Sequence, residues 1–371
     1  MMDPWSKHYP MAPGMVRKAA FKPGQRVLAI SDIHGCKALL ERLLQKLDYR
    51  PGTDALVLAG DLLTKGEENM AMLEFAMELA ALPDVHILLG NCDGMNDEAE
   101  APWLPFFLDR QPRQLFWEQC AEQGIGRSEA LADAHGTIQA LCRAYPKQAA
   151  FLAGLPRILE SEQYYFAHAA MDAALPPDKQ DPVDVITRRA FLQSAGAFDR
   201  LLVVGHYPAC NYDLTECRLS PYEDKARKIL CIDGGNRVKT GGQLNGAVLQ
   251  DGEYLGCEWV DDLPAVRVLC PQTERPATVN INCPNYAVQP LEWQGGWCRC
   301  RHEATGREFC APAKLVKQTE TGWKLADDYT DYRPPLKAGQ QVGLAARAGD
   351  WALIKTGDRP GWVPADRLQL E

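Results

Sequence analysis

The sequence contains no run of about 18 uncharged apolar residues, the length a helix needs to cross a bilayer, so no membrane span is expected. Its opening stretch, MMDPWSKHYPMAPGMVRKAAFKPG, lacks the apolar core of a secretory signal. A basic excess is missing too: 40 Lys and Arg stand against 49 Asp and Glu, a formal charge of -9. A nucleic-acid coat or a binder of anionic membranes needs the opposite balance, so neither partner is expected. Acidity does not exclude a phosphorylated substrate, because bound cations can supply local positive charge. A disulfide framework is equally unexpected. The thirteen cysteines come without a secretory signal and in an odd number, so they read as reduced thiols of a cytoplasmic protein.

What is present is an ordinary globular composition, 46% hydrophobic and 24% charged, on 371 residues. That length exceeds what one core usually serves, and more than one domain is expected. Short β-branched runs at Arg26–Ser31, Ala55–Ala59 and Val85–Leu89 alternate with helical spacing at Lys37–Leu47 and Glu67–Leu82. Repeats of about 30 residues of this kind are parallel strands joined by crossover helices. From Glu98 to Phe151 strand signals vanish, which predicts a helical insertion. They return at Tyr164–Ala167, Leu201–Val204, Ile229–Ile232 and Gly246–Leu249, and imply a second sheet packed on the first. The predicted class is α/β, a β-sandwich flanked by helices, with an all-β tail of small barrels.

Domain boundaries fall where these patterns shift: an N-terminal extension over 1–25, the sandwich domain over 26–262, and two small units over 263–320 and 330–371. The two tail units align weakly, Trp297 with Trp351, Phe309 with Trp362 and Leu315 with Leu368. The second ends in G-W-V-P and resembles bacterial Src-homology-3-like barrels. On that resemblance Trp351 and Trp362 are candidates to line a groove for a peptide partner.

The chemistry lies just past the end of each strand. Asp32 and His34 come after the first, in SDIHG; Asp61 after the second, in AGDLLTKG; Asn91 after the third, in LLGNCDG. His168 comes after the fourth, in YFAHAA, and His206 after the fifth, in VVGHYP. Open α/β sheets place their sites at the carboxyl ends of strands. A lone histidine there is usually structural, but six metal-capable side chains in one order argue for a dinuclear centre. Asp61 is the candidate bridge between the ions; Asp32 and His34, at i and i+2 of an extended chain, can grip one of them. The oxygen and nitrogen donors suit Mn, Fe, Zn or Co, with manganese the leading expectation. Two such ions orient a phosphoryl group, deliver hydroxide near neutral pH and neutralise developing charge.

The series D-x-H-G, G-D-x-x-x-[KR]-G, G-N-x-[DE], F-x-H-A and G-H-x-P resembles the calcineurin-like metallophosphoesterases. It is similar in particular to the phosphoprotein phosphatase branch, with its bacterial serine/threonine phosphatases and symmetrical diadenosine tetraphosphatases. The segment CIDGGNRVKTGGQLNGAVL resembles that branch's closing strands. The resemblance spans roughly residues 26–256 and implies hydrolysis of a phosphorylated protein or nucleotide. It also implies phosphate contacts from Lys65, Asn91 and, in TRRAF, from Arg188. The chain departs from the pattern at the family's acid dyad, where a histidine and an aspartate are replaced by Cys92 and Thr64. Lys65 likewise stands for an arginine and loses its bidentate fork. Asp61, Asn91, Cys92 and Asp93 are then the candidate catalytic groups, with Asp93 or Cys92 the nearest substitutes for the acid. Loss of a general acid favours substrates with good leaving groups, or a phosphodiesterase; the competing reading is a weakly catalytic scaffold that binds phosphorylated ligands.

Three further features invite function and are weighed against plainer readings. Cys298, Cys300, His302 and Cys310 make a zinc site conceivable, although C-x-C with a distant third thiol is not the usual hook and buried thiols are favoured. Asp93, Asp97, Glu98 and Glu100 read as a solvated acidic loop. His86, inside a strand, reads as structural.

Overall fold

The computed structural model describes residues 11–93 and 104–370. It divides into two compact units. The first takes in residues 1–208, 221–237 and 243–260. The second takes in residues 261–371 together with two short segments, 209–220 and 238–242, that lie inside the 26–262 span.

Strands β1 (Val16–Lys18), β2 (Val27–Ile30), β3 (Ala55–Leu58) and β4 (Val85–Ile87) open the first unit, with helices α1 (Lys37–Lys46) and α2 (Asn69–Ala80) between the last three. Five helices, α3 to α7, come next between Leu104 and Ala153, as the loss of strand signal predicts; residues 98–103 of that segment lie outside the described residues. After them come β5 (Ile158–Glu160), β6 (Tyr164–Ala167), helix α8 (Asp184–Thr187) and β7 (Leu201–Val204). The series ends with β8 (Tyr222–Asp224), β9 (Ile229–Cys231), β10 (Leu244–Gln250) and β11 (Glu253–Val260). They form two sheets, β11-β10-β2-β3-β4 and β1-β5-β6-β7-β9-β8. Within them β2, β3 and β4 are mutually parallel, as are β6, β7 and β9.

Alternation along the strands explains the layering. Val27, Ala29, Ala55 and Val57 turn toward Tyr164, Phe166, Leu201 and Val203 of the other sheet and form the core between them. Their neighbours Leu28, Ile30, Leu56 and Leu58 turn the other way and pack under Leu40 and Leu43 of α1 and Met72 and Leu73 of α2. Strands buried on both faces are continuous hydrophobic runs, which is why they stood out in the sequence. Strand β1 did not: Val16–Lys18 is short and largely polar, and it exists because the edge of β5 offers parallel partners at Ile158–Glu160. Residues 1–10 of the N-terminal extension lie outside the described residues.

The second unit is all antiparallel: a five-stranded sheet, a three-stranded sheet and two two-stranded ones. Its weak internal repeat corresponds to a shared path. Trp297–His302, Glu308–Pro312, a 3-10 turn and Val316–Thr319 run in the same order as Trp351–Thr356, Arg359–Pro364, a 3-10 turn and Leu368–Gln369. Cys298 and Cys300 are fully buried in the apolar core of the first copy, whereas Cys310 is exposed. Both ring nitrogens of His302 are engaged, by Thr305 Oγ1 at 3.0 Å and Asn285 O at 2.9 Å, so the thiols and the imidazole serve packing. Trp362 donates to Thr330 O at 2.9 Å and packs beside Tyr329; Trp351 lies against Trp297 and under Arg333. No helix among the described residues is long and apolar enough to cross a membrane.

A capping contact helps tie the helical insertion to the sandwich. The Glu118 carboxylate, on α4 (Leu115–Glu122), accepts from the N–H groups of Asn69 and Met70 at 2.9 and 2.6 Å and so caps α2. It also accepts from Asn69 Nδ2 at 2.7 Å. A charged acceptor at a helix N-terminus satisfies donors that otherwise go unpaired. Glu118→Ala is expected to lower stability by about 1–3 kcal/mol, read as a shifted urea midpoint, with Glu118→Gln recovering part of the loss.

Candidate active site

Five strands deliver the six side chains to one place. Asp32 and His34 leave β2, Asp61 leaves β3 and Asn91 comes after β4, all from one sheet; His168 leaves β6 and His206 leaves β7 of the other. Four of these residues, Asp32, His34, Asp61 and His206, have φ between 52° and 66°, a left-handed backbone that side chains rarely adopt. Each such residue costs of order 1–3 kcal/mol, and clusters of them mark functional sites. Close approach requires glycine beside them. A Cβ on Gly90 would sit 2.3 Å from an Asp61 carboxylate oxygen, and one on Gly205 would sit 2.4 Å from Asp32 Oδ2.

Asp61 lies at the centre. Its Oδ1 is 3.2 Å from His168 Nε2, and its Oδ2 is 3.9 Å from His34 Nε2. Asp32 Oδ1 stands 3.8 Å from His34 Nε2 and Asn91 Oδ1 3.1 Å from His168 Nε2. His206 packs edge-on to His168, and its Nδ1 or Nε2 joins Asp61 and His168 within 4.8 Å. Donors sharing one ion at about 2.0–2.2 Å lie about 3.0–3.6 Å from one another, so the spacing fits divalent ions with only small adjustment. The outer contacts fit as well. Nδ1 of His34 faces Leu63 O at 3.3 Å and Nδ1 of His168 faces Ala59 O at 2.9 Å, which leaves Nε2 of each aimed inward. His206 turns the other way, with Nε2 facing Thr187 O at 3.1 Å and Nδ1 left for the centre.

The electrostatics describe a pocket built for positive charge. Asp32, His34, Asp61 and His168 are buried to 2% exposure or less, while Lys65, Asn91, Cys92 and His206 form a half-buried rim. Burial opposes any charge on His168, yet the Asp61 carboxylate overrides it and holds the imidazole's pKa at about 10. Burial lowers His34 and His206 to about 3, helped by Lys65 at the first and by His168 at the second. Lys65 is also buried against its charge, but Cys92, Asp61 and Asp32 push its pKa up. Its Nζ lies 2.9 Å from His34 Nε2 and 3.4 Å from Cys92 Sγ.

The remaining candidates surround this centre. Cys92 donates its backbone N–H to Asp61 Oδ1 at 2.8 Å, and Thr64 Oγ1 donates to Cys92 O at 3.1 Å, so the two positions of the family's dyad still touch. Asp93 turns away from the rim. Its carboxylate is buried and accepts from Leu63 N–H at 3.0 Å and Gly90 N–H at 2.9 Å, bracing the loops after β3 and β4. Burial and the Asp61 charge raise its pKa to about 7. Asp97, Glu98 and Glu100 lie outside the described residues. Arg188 pairs with Asp184 and lines a cavity of about 550 Å³ with Asp172, Asp178 and Asp181, whose walls include none of the six candidate ligands. Its neighbour Arg189 is exposed and its charge bears on His206. Sequence reasoning passed over Arg189, although the doublet in TRRAF offered it. It also passed over Asn236, whose Nδ2 donates to Asp32 O and Ile33 O and fixes the first loop.

Residues 25–209 match the model of the calcineurin-like phosphoesterases. The chain belongs to that family. Among curated relatives, the symmetrical bis(5'-nucleosyl)-tetraphosphatase of Delftia acidovorans is 32% identical over 115 residues, 29% of this chain and 40% of that protein. The enzyme of that name from an Enterobacter species is 41% identical over 64 residues, 17% of this chain and 22% of its own length. The chain thus spans well under half of the curated relatives it matches. A crystal structure provisionally assigned as a diadenosine tetraphosphatase superposes on 67% of this phosphoesterase and 98% of itself, with a TM-score of 0.44 and 21% identity.

The buried histidines give the phosphoesterase a signature in its metal-free form. His34 and His206 refuse protons until about pH 3, whereas unfolded imidazoles take them up from about pH 6.5. Between those limits each of these two imidazoles is protonated only in the unfolded chain and so lowers stability as pH falls, by up to about 1.4 kcal/mol per pH unit. Asp93, protonated up to about pH 7 only in the folded chain, opposes one of them. His168, raised to about 10, adds a slope of the opposite sign near pH 6.5 and almost none below about pH 5.5, where the unfolded imidazole is protonated as well. Urea denaturation of chelator-treated protein from pH 6.5 to 4.5 is expected to show a shallower pH slope for His206→Gln than for the unsubstituted chain.

Proposed function

We propose that the protein is a metal-dependent phosphoester hydrolase whose substrates carry leaving groups that depart without a proton. The observation that carries this reading is the central carboxylate: the two oxygens of Asp61 face two different histidines, the arrangement a bridging ligand requires. Asp32, His34, Asp61, Asn91, His168 and His206 would hold two divalent ions, manganese, iron, zinc or cobalt among the candidates. Bound there, such ions supply Lewis-acid activation of water and charge neutralisation at phosphorus.

The chain's own groups define the rest. Lys65 at the rim and Arg189 beside His206 bring positive charge to the phosphoryl oxygens; we prefer Arg189 to Arg188 as the arginine contact because Arg188 is committed to Asp184. Asn91 orients between His168, through Oδ1, and Cys92, through Nδ2. We assign Asp93 a bracing role, since both its oxygens are occupied by backbone N–H groups. Among the described residues no strong acid then faces the leaving group: Thr64 is a hydroxyl, and burial and the Asp61 charge push the Cys92 thiol pKa well up. A phosphoanhydride suits this site, because its departing oxygen is already a stable anion. The names of the relatives, tetraphosphatases of bis-nucleosides, support the same substrate class. A protein that binds phosphorylated ligands without turning them over is the second reading, supported by the same missing acid.

Metal-dependent phosphate release is expected to be abolished in Asp61→Asn and in His168→Ala. In a substrate panel, kcat/KM for a dinucleoside tetraphosphate or p-nitrophenyl phosphate is expected to exceed that for a phosphoserine peptide by about 10²–10⁴-fold, the usual contribution of a general acid. Thr64→Asp combined with Cys92→His restores the dyad and narrows that gap. Equal rates on all three substrates sink the leaving-group argument, and ligand-protected melting without turnover on any of them favours the second reading.

A further inference from the structure

The family's third motif offers Asn91 as its metal ligand, and the position after it carries a proton donor rather than a ligand in the pattern this chain departs from. Here that position is a cysteine, and its surroundings are those of a donor to an ion. One imidazole nitrogen of His34, one carboxylate oxygen of Asp61 and Cys92 Sγ lie within 4.8 Å of one another. The backbone fixes the thiol's place: Cys92 N–H donates to Asp61 Oδ1 at 2.8 Å, and Cys92 O accepts from Thr64 Oγ1 at 3.1 Å. Asn91 turns its oxygen toward His168 and its amide nitrogen toward Cys92 Sγ at 3.5 Å, so the asparagine side chain lies between the imidazole and the thiol. A cation already sits among these atoms, for Lys65 Nζ reaches both His34 Nε2 at 2.9 Å and Cys92 Sγ at 3.4 Å.

We infer that Cys92 is a thiolate ligand on the His34 side of the centre, completing a set of Asp32, His34, Asp61 and Cys92. This rests on the two-ion reading proposed above and extends it. On binding, the thiol S–H bond breaks, the sulfur lone pair goes to the ion and the proton leaves to water, as happens for coordinating thiols generally. A sulfur donor moves the preference of that half from manganese toward zinc, cobalt or ferrous iron. The half built from Asn91, His168 and His206 keeps oxygen and nitrogen donors, so the two halves differ in the metals they select. The same ligation withdraws the thiol from acid catalysis.

Cobalt(II) titrated into chelator-treated, reduced full-length protein reads this directly. The expected result is visible d–d bands accompanied by a near-ultraviolet thiolate-to-cobalt charge-transfer band. Cys92→Ser and Cys92→His are expected to keep the d–d bands, which also shows that they fold, and to lose the charge-transfer band; zinc affinity by chelator competition falls about ten-fold or more in Cys92→Ser. Zinc-edge X-ray absorption of the unsubstituted protein adds a measurement free of variants, with a sulfur neighbour expected at about 2.3 Å. A charge-transfer band that survives in Cys92→Ser, or d–d bands without it in the unsubstituted protein, overturns the sulfur ligand and leaves the two-ion reading standing. Absence of any bound cobalt or zinc overturns both.

Discussion

The candidate site of the first unit is built around one buried carboxylate whose two oxygens face different histidines. Asp61 is 2% exposed, sits on a left-handed backbone and has neither space nor solvent to relax into. Gly90 is pressed against it and Cys92 N–H holds Oδ1. An uncompensated charge at this depth is costly, and cationic His168 and Lys65 compensate it. Burial alone would raise the Asp61 pKa; the neighbouring imidazoles instead hold it well below the usual carboxylate range. A site of this kind suits cations on both sides, as the proposed two-ion reading requires.

The sheets make that placement possible. Parallel strands end at the same edge, so residues far apart in sequence arrive together without long loops. Strands β2, β3 and β4 present Asp32, Asp61 and Asn91 from one sheet, and β6 and β7 present His168 and His206 from the other. The apolar contacts of Val27, Ala29, Tyr164 and Phe166 fix the distance between those edges. Beyond the edge, polar contacts set the loops: Asn236 holds the first, and Asn69 Oδ1, accepting from Thr64 N–H at 2.6 Å, holds the second under the cap supplied by Glu118.

The parts readable in the sequence are those whose cause is local. Fully buried strands announce themselves as short β-branched runs, and the candidate ligands are legible because each stands just after such a run. Tyr164–Ala167 and Leu201–Val204 coincide with their predicted bounds. Helix α2 begins two residues later than its apolar spacing suggests, at Asn69, where the distant Glu118 supplies the cap. Features caused by tertiary contact were silent. Strand β1 has no pattern of its own, the pairing of Arg188 with Asp184 leaves no sequence signal that separates it from Arg189, and nothing local shows that both oxygens of Asp93 accept from backbone N–H groups. In the tail, the aligned Trp297 and Trp351 correspond to strands that open equivalent hairpins, whereas the sharing of strands among four small sheets left no periodic trace.

The bridging carboxylate is tested most directly by anomalous diffraction from crystals of the full-length protein grown with a saturating divalent metal. Two peaks about 3.5–4 Å apart on either side of Asp61, one near His34 and one near His168 and His206, are the predicted result. A single peak on one side of Asp61, or none within reach of it, contradicts the shared ligand on which the whole site is built.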